Sequence, residues 1–224
     1  YLIILMNISN NYLFIIILFF ILIIILKLKQ NEHFTQKKKK KKKKKLVILY
    51  IIRSIPKNYD NRLKSQYNTW IKLLNKKYDK LLIASDNYKH KNKFNLNYST
   101  PDGCPRNHGD GPCCSESHAL VKALKTIKFD YVFILDDDVY LYPNKTREII
   151  EKYKSKHNVA IGTTGCIAND IDGFCGGGGY GFTKKCLKKL IGNNDTKFLE
   201  DYKKHCDNTQ YCDITTADLL KKKG

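Results

Sequence analysis

The chain of 224 residues has a formal net charge of +20, and nine of its positive charges belong to one run, Lys37–Lys45. This length suits one domain of ordinary size with appendages. Only four residues are arginines, although bidentate recognition of phosphates and bases usually uses arginine. Despite its charge, the chain is therefore not expected to bind a nucleic acid.

The eight cysteines all lie between positions 104 and 212. An even number is typical of disulfide-bonded lumenal or extracellular domains, and reduced buried cysteines in a cytosolic protein are the alternative. No two cysteines have the C-x-x-C spacing, which argues against a zinc ribbon or finger. Sequons at Asn97, Asn144 and Asn194 agree with a lumenal glycoprotein.

The first 26 residues are almost wholly apolar, and fifteen of them, Tyr12–Leu26, form an uninterrupted run. A spanning helix needs about 20 residues, so the whole stretch predicts a signal-anchor transmembrane segment over residues 1–27. A cleaved signal peptide is the alternative, but no small-residue cleavage site follows the run.

Residues 28–45 show no apolar periodicity and predict an extended Lys-rich stem. A contact between the lysine run and an anionic membrane is a secondary alternative. Positive charges that follow an apolar segment favour the cytoplasmic side, so the sequence leaves the membrane orientation open.

Beyond the stem, apolar runs alternate with helical patterns, as in α/β folds. Leu46–Ile52 is continuously apolar and predicts a buried first strand. Apolar residues over 62–74 have helical spacing and predict a helix that Arg62 opens. Leu81–Ala84 predicts a second strand, and Asp86 follows its end.

A third apolar run, Tyr131–Leu135, ends in three carboxylates, Asp136, Asp137 and Asp138. Ligands of open α/β sheets bind outside the carboxyl ends of the strands. Adjacent carboxylates repel each other, and Mg²⁺ or Mn²⁺ relieves that repulsion while bridging to phosphate oxygens. The triplet therefore predicts a metal site, with a solvated acidic turn that caps the next helix as the alternative.

The other segments are assigned by the same patterns. Four consecutive glycines, Gly176–Gly179, cannot form a helix or strand interior and allow close approach of a ligand or another segment. Asp213 lies at a predicted helix start, where an N-cap role is the simplest alternative to a catalytic one. The remaining predictions are a surface loop over 87–112, helices over 115–127, from Pro143 or Asn144, and over Lys184–Ile191, a strand at Val159–Ile161 and a loop over 162–175.

Six of these features follow one another in an order that resembles the Fringe-like branch of the β-1,3-glycosyltransferases, of the glycosyltransferase family 31 type. The resemblance covers about residues 46–220. It rests on Arg62-Leu63 with Thr69-Trp70, Asp86 after a strand, Cys113-Cys114, Asp136–Asp138, the glycine segment Gly176–Phe182, and Asp213-Ile214-Thr215.

The resemblance implies a GT-A fold, with a mostly parallel sheet flanked by helices, and transfer of a sugar from a UDP-sugar with inversion, using Mn²⁺. It implies that Asp138 ligates the metal with help from Asp137. Asp213 matches the second Asp of the family's Pro-Asp-Asp motif and is implied as the general base. The implied contacts of the nucleotide sugar are Arg62, Asp86, Asp136, Asp137, Gly177, Gly178 and Gly179.

The family layout also implies the surroundings of this chemistry. It consists of a membrane anchor (1–27), a stem (28–45) and a lumenal catalytic domain (46–224) in a single-pass type II protein of the Golgi or ER membrane. The expected reaction adds a GlcNAc, Gal or Glc type sugar in β-1,3 linkage to a glycan or glycoprotein acceptor.

The chain departs from the family pattern near its end. Cys212 and Tyr211 stand where the motif has its first Asp and its Pro. The family carries a metal-binding His beyond the motif, and no His follows Asp213 in this sequence. A truncated, inactive lumenal relative that at most binds nucleotide sugar is therefore the alternative to an active enzyme.

Overall fold

A computed structural model describes residues 15, 17–29, 45–85, 94–105, 110–153 and 158–224. The chain divides into two units, Tyr1–Lys45 and Leu46–Gly224. In the first unit, residues 17–29 are helical. No helix within the described residues is both long and apolar enough to cross a membrane. Most of the stem and residues 1–14 lie outside the described part, so the anchor and stem remain predictions.

The second unit is built on a six-stranded sheet with the strand order β3-β2-β1-β4-β8-β5. The first four strands in that order are parallel, and β8 is antiparallel to both of its neighbours. The predicted α/β class with a mostly parallel sheet is thus confirmed. The strands are β1 (Ile48–Arg53), β2 (Asp79–Ala84), β3 (Tyr98–Ser99), β4 (Tyr131–Asp136), β5 (Ala160–Gly162) and β8 (Tyr180–Thr183).

Helices cover both faces of the sheet because its central strands are apolar on both sides. Along β1, Leu49 and Ile51 face one core, whereas Ile48, Tyr50 and Ile52 face the other, as the two-residue period of a strand requires. The helices are α1 (Lys64–Asn68), α2 (Asp110–Thr126), α3 (Pro143–Lys152), α4 (Lys184–Ile191), α5 (Asp195–Thr209) and α6 (Cys212–Lys223).

The two cores recruit different helices. Buried residues of α2, α4, α5 and α6 pack in the core of Leu49 and Ile51. The opposite core contains Trp70 and Ile150, so α3 and the segment after β1 cover that face. Helix α2 packs on β1, β2 and β3, and its Glu116 and the Cys212 of α6 both contact Arg53 at the end of β1.

The helix predicted over 62–74 is wrong in its continuity. A π-helical turn (Tyr59–Leu63), the short α1 and a 3-10 turn (Ile71–Leu73) replace one long helix. The Thr69 hydroxyl donates to the carbonyl of Ser65 at 2.7 Å, and the Thr69 backbone leaves the helical region, with φ −110° and ψ −98°. Such side-chain bonds compete with helical geometry, and the break lets Trp70 become fully buried.

The loop predicted over 162–175 is also wrong, because most of it forms a hairpin of β6 (Thr164–Ala168) and β7 (Ile171–Phe174). Asn169 and Asp170 connect the strands with φ values of 48° and 63°. Positive φ at both central residues is the geometry of a tight hairpin turn, which Asn and Asp tolerate. Helix α5 was not predicted either, although Asn194 caps it by accepting from the amide of Lys197 at 3.0 Å.

Disulfides confirm the prediction of a disulfide-bonded domain. Cys104 pairs with Cys114, and the short Cys166–Cys175 bridge closes the hairpin. Cys113, although adjacent to Cys114, pairs with Cys206 at a sequence separation of 93 and links α2 to α5. Cys186 and Cys212 are free and buried.

Candidate active site

A cleft of about 430 Å³ opens at the carboxyl edge of the sheet. Arg53 at the end of β1 and Asp136 at the end of β4 are register partners, so the two strands deliver opposite charges to one place. This is the position at which open α/β sheets bind ligands. The lining residues include Arg53, Ser54, Lys57, Asn58, Arg62, Ser115 and the triplet Asp136–Asp138.

The three aspartates have different surroundings. The Asp136 carboxylate accepts two bonds from Arg53, at 2.8 Å to Nε and 2.9 Å to Nη2, and its side chain is 40% exposed. Asp137 is buried, and its Oδ2 accepts from Ser54 Oγ at 2.7 Å and from Asn58 Nδ2 at 2.9 Å. The side chain of Asp138 is 55% exposed. Exposure to an incoming ligand therefore rises sharply from Asp137 to Asp138.

Arg62 joins the two carboxylates predicted to hold a metal. Its Nη1 lies 3.1 Å from Asp138 Oδ2 and 3.4 Å from Asp137 Oδ1. The guanidinium is half exposed, so the pair is weak and the side chain is available to an anionic ligand. Two carboxylate oxygens that share one cationic partner are a donor set that suits a hard divalent cation.

The turn that carries the triplet is fixed by Gln66, which sequence reasoning missed. Its Nε2 donates to the carbonyls of Asp136 and Val139, both at 2.8 Å. A buried side-chain amide thus replaces the strand ladder where β4 ends. No sequence motif singled it out, because a glutamine in a helical pattern normally predicts an exposed position.

The glycine segment meets Asp213 at the same edge. The amide of Gly176 donates to Asp213 Oδ2 at 2.5 Å, and the amide of Ile214 donates to Oδ1 at 3.0 Å. A Cβ built on Gly176 would lie 2.8 Å from Asp213 Oδ2 and 3.3 Å from Arg53 Nη2. Asp213 therefore lies close to the arginine that holds Asp136. The N-cap of α6 is Tyr211, so capping is not the role of Asp213.

The three glycines predicted to contact nucleotide sugar differ from one another. Gly177 and Gly178 are exposed, and a Cβ on Gly177 would meet nothing within 4 Å. Gly179 is buried with φ +75°, and a Cβ there would lie 2.6 Å from the Phe133 ring. Internal packing and backbone conformation explain Gly179, whereas a Cβ on Gly178 would make only an ordinary contact with Thr163 Oγ1, at 3.6 Å. Asp86, also predicted to contact the donor, lies outside the described residues.

Sequence reasoning also missed Arg53 and Glu116 at this edge. Arg53 bonds to Asp136 and also lies 3.0 Å from the buried carboxylate of Glu116. Its Nη1 also contacts the thiol of Cys212, the residue at the position of the motif's first Asp. Burial raises the pKa of the Cys212 thiol, so this side chain remains neutral beside the guanidinium. The one sequence signal that could have found Arg53 is its position directly after the apolar run Leu46–Ile52.

A second group of metal-ligating atoms lies elsewhere. Cys104, Cys114 and His118 bring their ligand atoms within 4.8 Å of one another. Cys104 and Cys114 are joined in a disulfide, so they do not offer the thiolates that a metal requires. Among the described residues, the acidic triplet is the better candidate for a metal.

The family model for Fringe-like proteins matches residues 43–213, which is most of the chain and includes the triplet, the glycine segment and Asp213. The chain belongs to the Fringe-like family. This is a family of glycosyltransferases, so membership supports a glycosyltransferase and confirms the resemblance read from the motifs. No curated protein sequence matches the Fringe-like chain.

Solved structures that are similar to this Fringe-like chain are distant. One is the mannosyltransferase PcManGT from Pyrobaculum calidifontis in complex with GDP-Man and Mn²⁺, at 11% identity and a TM-score of 0.45 over 68% of this chain and 49% of that one. Another is residues 1–349 of TarS from S. aureus, at 16% identity and a TM-score of 0.42 over 69% of this chain and 54% of that one. The chain thus spans about half the length of these proteins.

Proposed function

We propose that this protein is an inverting glycosyltransferase that uses Mn²⁺ and transfers a GlcNAc, Gal or Glc type sugar from a UDP-sugar to a glycan or glycoprotein acceptor in β-1,3 linkage. The observation that supports the proposal most is that Gly176 lies close to both Asp213 and Arg53. Because Arg53 also holds Asp136, Asp213 lies near the acidic triplet. One cleft edge thus combines a carboxylate suited to act as a base with the acidic triplet. Inverting transfer needs a base at the acceptor and positive charge at the leaving diphosphate.

The triplet fits a divalent cation of the Mg²⁺ and Mn²⁺ class. Such ions are commonly held by one or two carboxylates, and substrate phosphates and water complete the shell. Asp138 and Oδ1 of Asp137 would hold the ion, because the other oxygen of Asp137 already accepts from Ser54 and Asn58. The bound ion supplies charge neutralisation at the diphosphate.

The protein's own residues account for the remaining steps. Arg62, which is half exposed beside Asp138, would donate to the diphosphate. Asp213 would take the proton of the acceptor hydroxyl as that oxygen attacks the anomeric carbon, while the bond from that carbon to the diphosphate breaks and UDP leaves. The amides of Gly176 and Ile214 orient the carboxylate for this role. Each carboxylate oxygen retains a second lone pair for the proton.

The proposal includes the cellular setting. The catalytic unit would be lumenal in a single-pass type II protein of the Golgi or ER membrane, anchored by residues 1–27. Three disulfides support an oxidising compartment. Protease protection of the disulfide-bonded unit in sealed microsomes would support this orientation, and digestion without detergent would contradict it.

The reaction can be tested with the 224-residue chain in detergent, produced in bacteria because Asp213→Asn and Asp207→Asn each create an Asn-x-Thr sequon that a eukaryotic host would glycosylate. UDP release is measured with UDP-GlcNAc, UDP-Gal and UDP-Glc plus glycan acceptors, and we expect turnover that EDTA abolishes and Mn²⁺ restores. Asp213→Asn should lower kcat by about 100-fold or more, because general-base catalysis contributes that much. The same variant should keep its affinity for UDP–Mn²⁺ in calorimetry. Asp207→Asn, the same change at an exposed pair with Lys203, is the control and should retain turnover.

The outcomes separate enzyme from binding protein. A wild-type chain that binds UDP–Mn²⁺ but releases no UDP from any donor would be the inactive relative instead. Turnover that survives Asp213→Asn would contradict the assignment of the base. Turnover that survives Asp138→Ala with its Mn²⁺ dependence intact would contradict the metal assignment.

A further inference from the structure

Glu116 is a buried carboxylate that the proposed reaction does not use. It lies on α2, and its side chain is fully enclosed, with 0% exposure. A buried carboxylate is costly unless its charge and its lone pairs are satisfied. All of its hydrogen-bonding neighbours are donors, namely Arg53, Tyr180, Tyr202 and Thr216.

These donors come from the elements that form the cleft edge. Arg53 at the end of β1 reaches Oε2 at 3.0 Å, and the hydroxyl of Tyr180, which lies in β8, is 2.6 Å from both oxygens. Thr216 on α6 donates to Oε1 at 2.9 Å, and the Tyr202 hydroxyl on α5 lies 3.0 Å from it. One carboxylate therefore connects β1, β8, α5 and α6.

The contacts from Glu116 through Arg53 to Asp136 form the first arm of this hydrogen-bond network. The guanidinium of Arg53 is planar, so the contact of Nη1 with Glu116 fixes the direction in which Nε and Nη2 point. Those two nitrogens hold the Asp136 carboxylate in the bidentate pair at 2.8 and 2.9 Å. Arg53 is itself buried, which leaves it little freedom to turn. The orientation of Asp136 in the cleft thus depends on Glu116.

The second arm ends at Asp213. Thr216 follows Asp213 by three residues on α6, so the bond from Thr216 to Glu116 anchors the turn that carries the candidate base. The Tyr202 hydroxyl also lies 3.1 Å from the carbonyl of Cys212 and 2.7 Å from the Thr216 hydroxyl. The start of α6 is thus tied to the same carboxylate at two points.

We infer that Glu116 is a positioning residue that holds Asp136, through Arg53, and Asp213, through the first turn of α6, in register across the cleft. This inference rests on the proposed function and adds a residue to it. Glu116 touches no substrate, since it is fully enclosed. Its effect on turnover passes through the two aspartates.

Glu116→Gln in the full-length chain tests the inference, because it keeps the shape of the side chain and removes the charge. We expect kcat to fall by about 10-fold to 100-fold, as small misplacements of reacting groups do. The Kd for UDP–Mn²⁺ should rise several-fold as Asp136 loses its orientation.

Two further variants make the test specific. Asp79→Asn takes the negative partner from another buried arginine, Arg147, at the opposite edge of the sheet, and should leave kcat and Kd unchanged. Tyr202→Phe combined with Thr216→Val removes both links to the start of α6 and leaves Arg53 in place, so this double variant should lower kcat without changing the Kd for UDP–Mn²⁺. All variants are compared where thermal unfolding shows them to be folded.

The inference is overturned if folded Glu116→Gln keeps kcat within about twofold of the wild type, or if Asp79→Asn reproduces its loss. If Glu116→Gln does not fold, an unchanged kcat in the double variant of Tyr202 and Thr216 overturns the arm to Asp213. A wild-type chain without turnover contradicts the proposed function instead. In that case the Kd for UDP–Mn²⁺ in Glu116→Gln still tests the arm to Asp136.

Discussion

The two edges of the central sheet each hold a buried arginine, and the partners of the two differ. At the amino edge, Arg147 pairs with Asp79 and donates to the carbonyls of Leu46 at 2.8 Å and Tyr78 at 3.1 Å. At the carboxyl edge, the hydrogen bonds of the Arg53 guanidinium to described residues all go to side chains, namely those of Glu116, Asp136 and Cys212.

This difference separates a structural arginine from one that serves a site. Main-chain carbonyls are fixed by the fold, so Arg147 joins the starts of the strands, and its second acidic neighbour, Glu151, lies on the same helix α3. Arg53 contacts the buried carboxylate of Glu116 with one nitrogen and orients Asp136 with the others. The side chain of Asp136 is 40% exposed in the cleft. A buried ion pair is weak evidence for stability, so the exposed end of this chain of contacts is the informative part.

The largest expected effect comes from removing the buried carboxylate that pairs with each arginine, Glu116 for Arg53 and Asp79 for Arg147. Glu116→Ala and Asp79→Ala should each lower the free energy of unfolding by about 3 kcal/mol, because an arginine is left partly uncompensated in the interior. Each arginine keeps a second acidic neighbour, Asp136 for Arg53 and Glu151 for Arg147, so the two costs should be similar. Denaturant unfolding monitored by circular dichroism measures both.

A clear inequality would break the comparison. If Glu116→Ala cost far less than Asp79→Ala, the charge of Arg53 would be balanced by Asp136 alone, and Glu116 would not be needed to hold it. Burial raises the pKa of Glu116, and Arg53 and the hydroxyl donors oppose that rise. The stability difference is therefore best measured at neutral pH, where the Arg53 pair favours the ionised form.

A second prediction concerns the glycine that closes the carboxyl edge. Gly176→Ala should lower kcat by about tenfold, because the new Cβ would lie 2.8 Å from Asp213 Oδ2 and must displace it. Gly177→Ala meets no protein atom within 4 Å, so it should leave the free energy of unfolding unchanged. If nucleotide sugar contacts Gly177 as predicted, that variant should raise the Kd for the UDP-sugar without lowering kcat.

Steady-state kinetics and calorimetry on the two variants decide this. An unchanged kcat in Gly176→Ala would show that Asp213 moves freely, against the role given to the Gly176 amide. An unchanged Kd in Gly177→Ala would remove that glycine from the predicted contacts of the donor.

Strand β4 and its acidic triplet could be predicted from the sequence, whereas the role of Glu116 in orienting Asp136 could not. An apolar run that ends in three carboxylates is a local pattern, and strand β4 begins and ends within a residue of the prediction. Glu116 is surrounded in sequence by serines and a histidine, and only the packing of α2 against β8, α5 and α6 shows that it is buried. Long-range pairing therefore decides its role.

The same distinction explains the errors in the fold. The Cys113–Cys206 bridge joins residues 93 positions apart, and no local pattern specifies such a pair. The break at Thr69 depends on how Trp70 fits the core, so helical spacing alone overextended the predicted helix. The hairpin β6–β7 was missed because its strands are short and largely unburied, which removes the apolar alternation that predicts strands.

The smallest expected effect is on the pH dependence of stability, at His118. This partly buried residue of α2 lies two positions from the fully buried Glu116, so the two can be compared. Burial lowers the pKa of His118 below its usual 6.5. The unfolded chain therefore binds more protons than the folded one in the window just below pH 6.5, and the free energy of unfolding should rise with pH across it. His118→Gln should flatten that part of the profile, measured as wild type minus variant from pH 5 to 8 so that other groups cancel. A difference that instead falls as pH rises would mean that the folded state favours protonated His118, and that a nearby acidic group outweighs its burial.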